Sequence, residues 1–500
     1  MRKMILVGLL AFAVALTGTA YAEVQSVKVS GDLDMKAVSH ENYDLKLKQG
    51  NITGNVNSGD VPAVTDDDDA NFFLSTTHVK VDADLTDNVS TSVRMVNQRT
   101  WDAEAHAAGR DSNSINIDNA YVVLKEFLYS PLTVIAGRQD LNYGTGFIVG
   151  PGLLADPQGT FASLATGGTT QAQIGQEYSA YNAYDAIRFI LDFAPWTIEG
   201  VLAKINETGI TTNDQNLYGF LINRKLDRWN AEVEPYWFFK DNEAETLTVN
   251  DSSATPGTQR TYETNRIHTV GLRTAATPIE NLKVNLEAAH QFGKLIDTTG
   301  TQLQNRTRDA WGWTADGRYT WANVRWTPVT GVGWVYYSGE EATDENTSAI
   351  GATGATNHND GDRFNAWDPM YRGAFHTFIQ DFLTGRDAPA GLYATFDRND
   401  TAATTNRQLL YADLGLKPLE DLTLWGRYTH AWFARAPRSG RSTTAGDEVD
   451  VKAVYAYTDD VQLAVFGGWF FPGGYYDNPG PNNRGNTLAW TTGGSASVKF

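Results

Sequence analysis

The chain has 500 residues, carries a formal net charge of −19 at neutral pH and contains no cysteine. The lack of cysteine excludes a disulfide framework, zinc–thiolate sites and c-type haem attachment. The acidity argues against a nucleic-acid partner, because proteins bind a phosphate backbone through basic patches.

The first residues have the pattern of a secretory signal peptide. Met1-Arg2-Lys3 is basic, Ile5–Leu16 is apolar, and Ala20-Tyr21-Ala22 supplies the small residues that a signal peptidase recognises. A membrane anchor would need about 20 apolar residues, and this run is too short. We therefore expect cleavage after Ala22, with residues 1–22 as the signal peptide and residues 23–500 as one folded domain.

Strand-like segments recur along the rest of the chain, which has no later apolar stretch long enough to cross a bilayer as a helix. Each segment has roughly ten residues of alternating polarity, and there are about eighteen, an even number as in bacterial outer-membrane barrels. The predicted strands are Val24–Val38, Phe72–Leu85, Asn88–Thr100, Ile115–Glu126, Leu132–Arg138, Tyr184–Phe193, Trp196–Ile205, Asn216–Leu226, Trp229–Phe239, Asn265–Ala276, Asn281–Phe292, Asp309–Thr320, Ala322–Tyr337, Arg407–Lys417, Asp421–Ala434, Glu448–Tyr457, Val461–Phe470 and Asn486–Phe500.

The connections between these strands alternate in length. Short turns such as Thr86-Asp87 and Ala194-Pro195 follow the even-numbered strands, whereas long segments such as 139–183 and 338–406 follow the odd-numbered strands. Outer-membrane barrels sort their connections in this way, with short periplasmic turns and long extracellular loops. The sequence therefore predicts an all-β fold, a transmembrane antiparallel β-barrel in the outer membrane of a Gram-negative bacterium.

Polarity within the strands agrees with a barrel. Leu282, Val284 and Leu286 share one face of a predicted strand, and polar residues occupy the other. A soluble antiparallel sandwich gives the same alternation, so strand number and loop sorting favour the barrel. Aromatic pairs close several strands and are expected to form an outer girdle at the membrane interface; they are Phe238-Phe239, Tyr336-Tyr337 and Phe470-Phe471.

A glycine-rich apolar loop follows the strand that ends at Arg138. Exposed loops are usually polar, but this loop combines Tyr143, Gly144 and Gly146 with Phe147. The glycines permit a tight turn. We expect the loop to fold back into the barrel and to constrict it, as porin constriction loops do.

Two stretches of sequence resemble the alginate export family of Gram-negative outer-membrane porins. The first is Gly137–Gly144, GRQDLNYG; the second is Gly361–Tyr371, GDRFNAWDPMY, which continues into Gly373 and Asp381. The resemblance implies a monomeric eighteen-stranded barrel that passes an acidic polysaccharide outward through an arginine-lined constriction. Of the arginines, Arg138 is the one that the motif itself identifies.

Strand phase predicts further arginines on the lumenal face. Guanidinium groups bind the carboxylates of a uronate polymer in a bidentate manner, so these residues are candidate pore-lining sites. Carboxylates share the same faces in similar number, so each arginine has the alternative role of a structural ion pair. The candidates are Arg94, Arg188, Arg318, Arg325 and Arg427.

The sequence favours a passive channel, most simply an alginate-export-like channel for anionic polysaccharide. A general or sugar-specific porin is one alternative, and a structural or partner-binding barrel with little conductance is another. No catalytic motif or metal-ligand spacing is recognisable, so no enzyme activity, catalytic residue, metal or cofactor is predicted. Asp66–Asp69 could hold calcium together with lipopolysaccharide, although such a run is more often a solvated loop.

The prediction of an outer-membrane channel also indicates its partners. They are anionic or neutral carbohydrate, outer-membrane lipid, lipopolysaccharide and periplasmic secretion partners. The last strand ends in an aromatic carboxylate, Phe500, and resembles the signal recognised by the bacterial barrel-assembly machinery.

Overall fold

In the computed structural model the chain forms a closed barrel of eighteen antiparallel strands. The strands are β1 (Ser26–Glu41), β2 (Ala70–Thr86), β3 (Val89–Thr100), β4 (Asn116–Leu124), β5 (Leu132–Gln139), β6 (Tyr184–Phe193), β7 (Trp196–Asn206), β8 (Gln215–Leu226), β9 (Ala231–Asn242), β10 (Asn265–Ile279), β11 (Leu282–Asp297), β12 (Gln304–Thr320), β13 (Val329–Tyr337), β14 (Arg407–Leu416), β15 (Leu422–Phe433), β16 (Thr444–Ala456), β17 (Val461–Pro472) and β18 (Ala489–Lys499).

The structure describes fourteen parts of the chain, namely residues 25–43, 45, 70–101, 115–150, 183–206, 215–242, 249–250, 259–260, 265–297, 304–339, 363–381, 406–435, 442–476 and 487–500. The predicted signal peptide and the Asp66–Asp69 run lie outside the described residues, and both stay predictions. Within the described residues, no helix is long and apolar enough to span a membrane.

Each strand pairs with its neighbours in sequence, and β1 closes the barrel by pairing with β18. Asp32 lies opposite Lys499 at one end of that pair, and Glu41 lies opposite Trp490 at the other. Two short strands, Val249–Asn250 and Gln259–Arg260, pair with each other. A third, Arg363–Phe364, runs parallel to the extracellular end of β12.

The predicted barrel is confirmed, with two-residue turns such as 194–195 and 280–281 at one end and long connections such as 140–183 and 338–406 at the other. The predicted starts of two neighbouring strands are wrong, because β12 begins at Gln304 and not at Asp309, and β13 begins at Val329 and not at Ala322. Residues 321–328 form a turn, closed by the Trp321 N–H donating to the Pro328 carbonyl at 2.8 Å. Arg325 lies in this turn, so its predicted place on a lumenal strand is corrected.

Side chains alternate between a lipid-facing outside and a packed inside along the regular parts of the strands. Leu272 and Leu286 point outward and are about half exposed in the isolated chain. Only one residue of each pair predicted to form the outer girdle faces the membrane, because adjacent residues of a strand face opposite sides. Phe239, Tyr336 and Phe471 point outward, whereas their neighbours Phe238, Tyr337 and Phe470 are buried inside the barrel.

Candidate functional site

Two loops fold into the barrel and pack against each other. We name residues 141–150, after β5, the first inner loop, and residues 365–381, between β13 and β14, the second inner loop. The Tyr371 N–H donates to the Ile148 carbonyl at 3.0 Å, and the Gly150 N–H donates to the Tyr371 carbonyl at 2.9 Å. Because backbone bonds join the two loops, they form one folded unit inside the lumen.

An apolar contact seats this unit against the wall. The Phe147 ring lies 5.5 Å from the rings of Tyr337 and Trp367. Gly312 of β12 makes room for both loops, because a Cβ atom there would lie 3.0 Å from the rings of Phe147 and Trp367. Burying three aromatic side chains in this way gives the loops a hydrophobic core of their own.

Polar contacts hold the first inner loop to strands β7 and β11. The Tyr143 hydroxyl donates to Glu199 at 2.6 Å, and the Thr145 hydroxyl donates to Glu287 at 2.8 Å. Burial and the neighbouring Glu199 carboxylate raise the pKa of Tyr143 well above its usual value, so the phenol stays protonated as a donor. Tyr143, Gly144, Gly146 and Phe147, predicted to enter the barrel, all lie inside it.

Asp368 anchors the first half of the second inner loop. Its backbone N–H donates to the Gln291 side chain at 2.8 Å, and Gln291 donates back to the Asp368 carbonyl at 2.8 Å. The Lys240 ammonium lies 3.4 Å from its carboxylate, and Arg308 lies 3.9 Å away. Burial alone would raise the pKa of Asp368, but these two cations hold that pKa below its usual value.

Asp381 anchors the second half. Its carboxylate accepts the N–H groups of His376 and Thr377 at 2.7 and 3.0 Å. Arg372 and Arg407 lie 3.6 and 3.5 Å from the same carboxylate. Burial opposes ionisation, but the two guanidinium groups lower the pKa of Asp381 to about 2. The carboxylate is therefore ionised at any physiological pH, which keeps this anchor intact.

Arg94 lies on the inner wall beside Asp118, whereas Arg138 faces outward, so its predicted place in the pore is corrected. In β5, Gly137 and Gln139 lie opposite the buried Ala186 and Tyr184, and Arg138 lies opposite Asp185 on the other face. Arg94 donates to Asp118 and, at 3.1 Å, to Asp140. Arg138 donates through Nε to the Asp118 carbonyl at 3.0 Å and lies 3.8 Å from Asp185. The β3–β4 register shifts at Arg94, which leaves Asp118 as an extra residue beside it.

Three more of the predicted arginines lie on the inner wall. Arg188 binds Glu199 through two bonds of 2.6 and 3.0 Å and so joins the network of Tyr143. Arg318 and Arg427 share Asp413, at 3.2 and 2.6 Å. Arg325 does not lie on the wall, because its guanidinium lies over the Trp326 ring at 4.9 Å in the turn before β13.

The sequence reasoning missed the role of the second inner loop, although it singled out part of its sequence. The sequence pattern that indicates burial is the same in both loops, namely a set of large apolar residues between two strands. Trp367, Met370, Tyr371 and Ile379 are all buried here. Among the described residues, no group of three or more histidine or acidic side chains could hold a metal ion.

A sequence profile described as alginate export matches residues 50–489. The chain belongs to the alginate export family. Membership, together with the closed barrel, identifies it as an outer-membrane transport channel. The predicted family, fold and location are therefore confirmed.

A solved structure of another outer-membrane protein shares the architecture, and a second is similar at a lower score. The outer membrane protein opdK from Pseudomonas aeruginosa is 7% identical with a TM-score of 0.50, over 95% of this chain and 99% of that chain. OccK8 (OprE) from Pseudomonas aeruginosa is 9% identical with a TM-score of 0.49, over 95% and 98%. Similarity at this level of identity concerns the fold alone. No curated protein sequence matches the chain.

Proposed function

We propose that this alginate export family channel passes an anionic polysaccharide by passive diffusion, with Arg94 and Arg318 as its contacts. A uronate polymer carries a carboxylate on every sugar, and guanidinium groups bind carboxylates through paired hydrogen bonds. The proposal therefore depends on which lumenal arginines can exchange their present partner for a carboxylate of the substrate.

The observation that carries the proposal is the exposure of the Arg94 and Arg318 side chains. Arg318 is 50% exposed, and Arg94 is 23% exposed beside an Asp140 that is 43% exposed. Ion pairs that keep contact with water are weak, about 1 kcal/mol or less. A carboxylate of the substrate can therefore replace Asp140 beside Arg94 at little cost, and it can bind the exposed side of Arg318 without displacing the buried Asp413.

Arg427 and Arg188 differ from these residues, and we assign them a structural role. Arg427 holds Asp413 through two bonds and donates to the His376 carbonyl of the second inner loop at 2.8 Å. Arg188 is tied to Glu199, which also accepts the Tyr143 hydroxyl of the first inner loop. Displacing either arginine would disturb the loops.

The proposed contacts lie at different heights of the barrel. Arg318 is near the periplasmic end of β12, and Arg94 is midway along β3. Several weak contacts in succession let a charged chain enter and still leave. This spacing favours a polymer over a single small anion.

A general or sugar-specific porin is the second candidate. It is favoured by the pairing of each lumenal guanidinium with a wall carboxylate, such as Arg188 with Glu199 and Arg94 with Asp118. Opposed charges on one wall give little net selectivity for anions. In that case the ion pairs would only shape the pore.

Conductance in planar bilayers tests the proposal. We expect oligouronate to block the wild-type channel, and a neutral oligosaccharide of the same length to block it much less. An Arg94→Gln/Arg318→Gln variant should weaken the oligouronate block roughly ten-fold, because two partly exposed ion pairs contribute up to about 1 kcal/mol each. Arg224→Gln is the matched control, since Arg224 lies on the outer face against the Trp196 ring.

The outcomes separate the candidates. Equal block by charged and neutral oligosaccharides, or block unchanged in the double variant, would support a porin without uronate selectivity. Almost no conductance would support the structural or partner-binding barrel.

A further inference from the structure

A row of basic residues crosses the outer face of the barrel beside its extracellular end. We name Arg266, Lys294, Thr307 and Arg363 the basic row. Arg266 of β10 lies opposite Lys294 of β11, Lys294 lies opposite Thr307 of β12, and Thr307 lies opposite Arg363 of the short parallel strand. Four adjacent strands thus contribute to one line at one height.

The direction of these side chains follows from their strands. Thr269, Gln291 and Arg308 are buried inside the barrel, and residues of the opposite phase point outward. Arg266 and Arg363 are 52% and 68% exposed. The basic row therefore faces the surroundings of the barrel and not its lumen.

An aromatic surface lies directly below the basic row on the same face. His268 stacks on Phe239 with ring centroids 4.3 Å apart, and it stacks on Phe292 at 5.1 Å. One step lower, His290 stacks on Trp311 at 4.3 Å. Tryptophan rings such as that of Trp311 are typical of the boundary between hydrocarbon and headgroups.

Two carboxylates accompany the row without covering it. Asp241 accepts the Nε–H of Arg266 at 3.0 Å and is itself only 13% exposed. Asp309 binds His290 at 2.8 Å and lies 3.8 Å from Arg363. Asp241 binds the Nε edge of Arg266 and so fixes the orientation of the guanidinium. The other edge of the guanidinium stays exposed.

Another part of the outer face lacks this combination. Tyr428, His430, Trp432 and Asp447 on β15 and β16 supply rings and a histidine–aspartate pair, with His430 and Asp447 2.8 Å apart. None of these four residues is an arginine or a lysine. The basic row is therefore absent from this part of the outer face.

We propose that the basic row binds the phosphate groups of a phosphorylated glycolipid of the outer leaflet, whose acyl chains cover the aromatic surface below. The charges are complementary, and a chain with a net charge of −19 would otherwise repel an anionic lipid. The height also fits, since phosphates lie just outside the hydrocarbon. The inference is independent of what passes through the lumen.

Native mass spectrometry of the full-length protein purified from outer membranes tests this site. The probes are lipid A with its phosphates and the same lipid after their removal. Arg363→Gln changes the short strand outside the barrel wall, and Arg266→Gln/Lys294→Gln changes the wall. Each lost cation should weaken binding of phosphorylated lipid A about five-fold.

The control is Arg224→Gln, which removes an outward arginine at the periplasmic end of the same barrel. We expect it to leave lipid A binding unchanged, and we expect ion conductance to be unchanged in all of these variants. Equal binding of both forms of lipid A, or an equal loss with Arg224→Gln, would overturn the proposal. Arg363→Gln keeps the test valid even where the double variant fails to assemble.

Discussion

The Glu448 carboxylate of β16 accepts the backbone N–H of Ile379, in the second inner loop, at 2.7 Å. Its other oxygen accepts the N–H of Gln380 at 3.0 Å. Glu448 is fully buried, as is Ile379. One wall side chain therefore satisfies two consecutive amides that no strand partner could reach, and it ties the end of the loop to the barrel.

Replacing Glu448 by alanine should release this end of the loop. Each buried N–H left without an acceptor costs about 1–3 kcal/mol. We expect a lower thermal stability in detergent and larger current fluctuations in single-channel recordings. The control is Asp447→Ala, because Asp447 is the preceding residue and points outward to His430 and Tyr428. Similar losses in both variants would argue against the anchoring role.

The barrel itself was predictable because two independent patterns coincide in the sequence. Alternating polarity gave the strands, and alternating connection length gave their orientation. The start of β13 was not predictable from polarity, since residues 322–328 also alternate. Trp326 and Thr327 instead adopt positive φ angles before Pro328, and this turn removes Arg325 from the wall.

The candidate site was only partly predictable. An apolar, glycine-rich loop indicated burial of the first inner loop, but its partner lies far away in sequence. The Gly373 N–H donates to the Gly146 carbonyl at 2.8 Å, a contact that no local pattern encodes. Arg138, which the motif identified, faces outward. Strand phase placed four of its five arginine candidates inside. It could not tell that the second inner loop covers Arg427 and leaves Arg318 exposed.

Gly146→Ala should disturb the contact between the inner loops. Gly146 has a φ angle of 79°, and an added Cβ would lie 3.3 Å from the Gly373 carbonyl carbon and the Ala374 nitrogen. The left-handed conformation alone costs a non-glycine residue about 1–2 kcal/mol. We expect a lower thermal stability and a changed conductance. Gly200→Ala is the control, since nothing lies within 4 Å of a Cβ there; if both substitutions were equally tolerated, the close approach would not matter.

Docking of the second inner loop should weaken in mild acid because of His376. Its ring stacks on Tyr411, and its buried Nε2 has no hydrogen-bond partner among the described residues. Burial, together with nearby Arg427, Arg372 and Arg407, lowers the pKa of His376 from 6.5 to about 4, against the opposing effect of Asp381. The released loop therefore binds a proton more readily than the docked loop, and docking loses free energy as the pH falls from 6.5 to about 4.

Current fluctuations recorded between pH values of about 7 and about 4 check this prediction. His376→Phe keeps a ring against Tyr411 and removes the titration, so its fluctuations should depend less on pH. The Asp381 anchor should not contribute in this range, because its pKa of about 2 keeps it ionised. His430→Phe, on the outer face, is the control. An unchanged pH profile in His376→Phe would show that another group is responsible.

Asp413→Asn should make the channel more selective for anions. Asp413 accepts two bonds from Arg427, at 2.6 and 3.0 Å, and lies 3.2 Å from the half-exposed Arg318. The amide of asparagine can still accept a hydrogen bond from Arg427, but it does not neutralise Arg318. The lumen near the periplasmic end therefore gains one unbalanced positive charge. Reversal potentials in a salt gradient should move toward that of the anion, most clearly at low ionic strength, where screening is weak. The control is Asp447→Asn, which removes a carboxylate from the outer face and should leave the reversal potential unchanged. An equal shift in both variants would mean that Asp413 acts through the net charge of the protein and not through the pore.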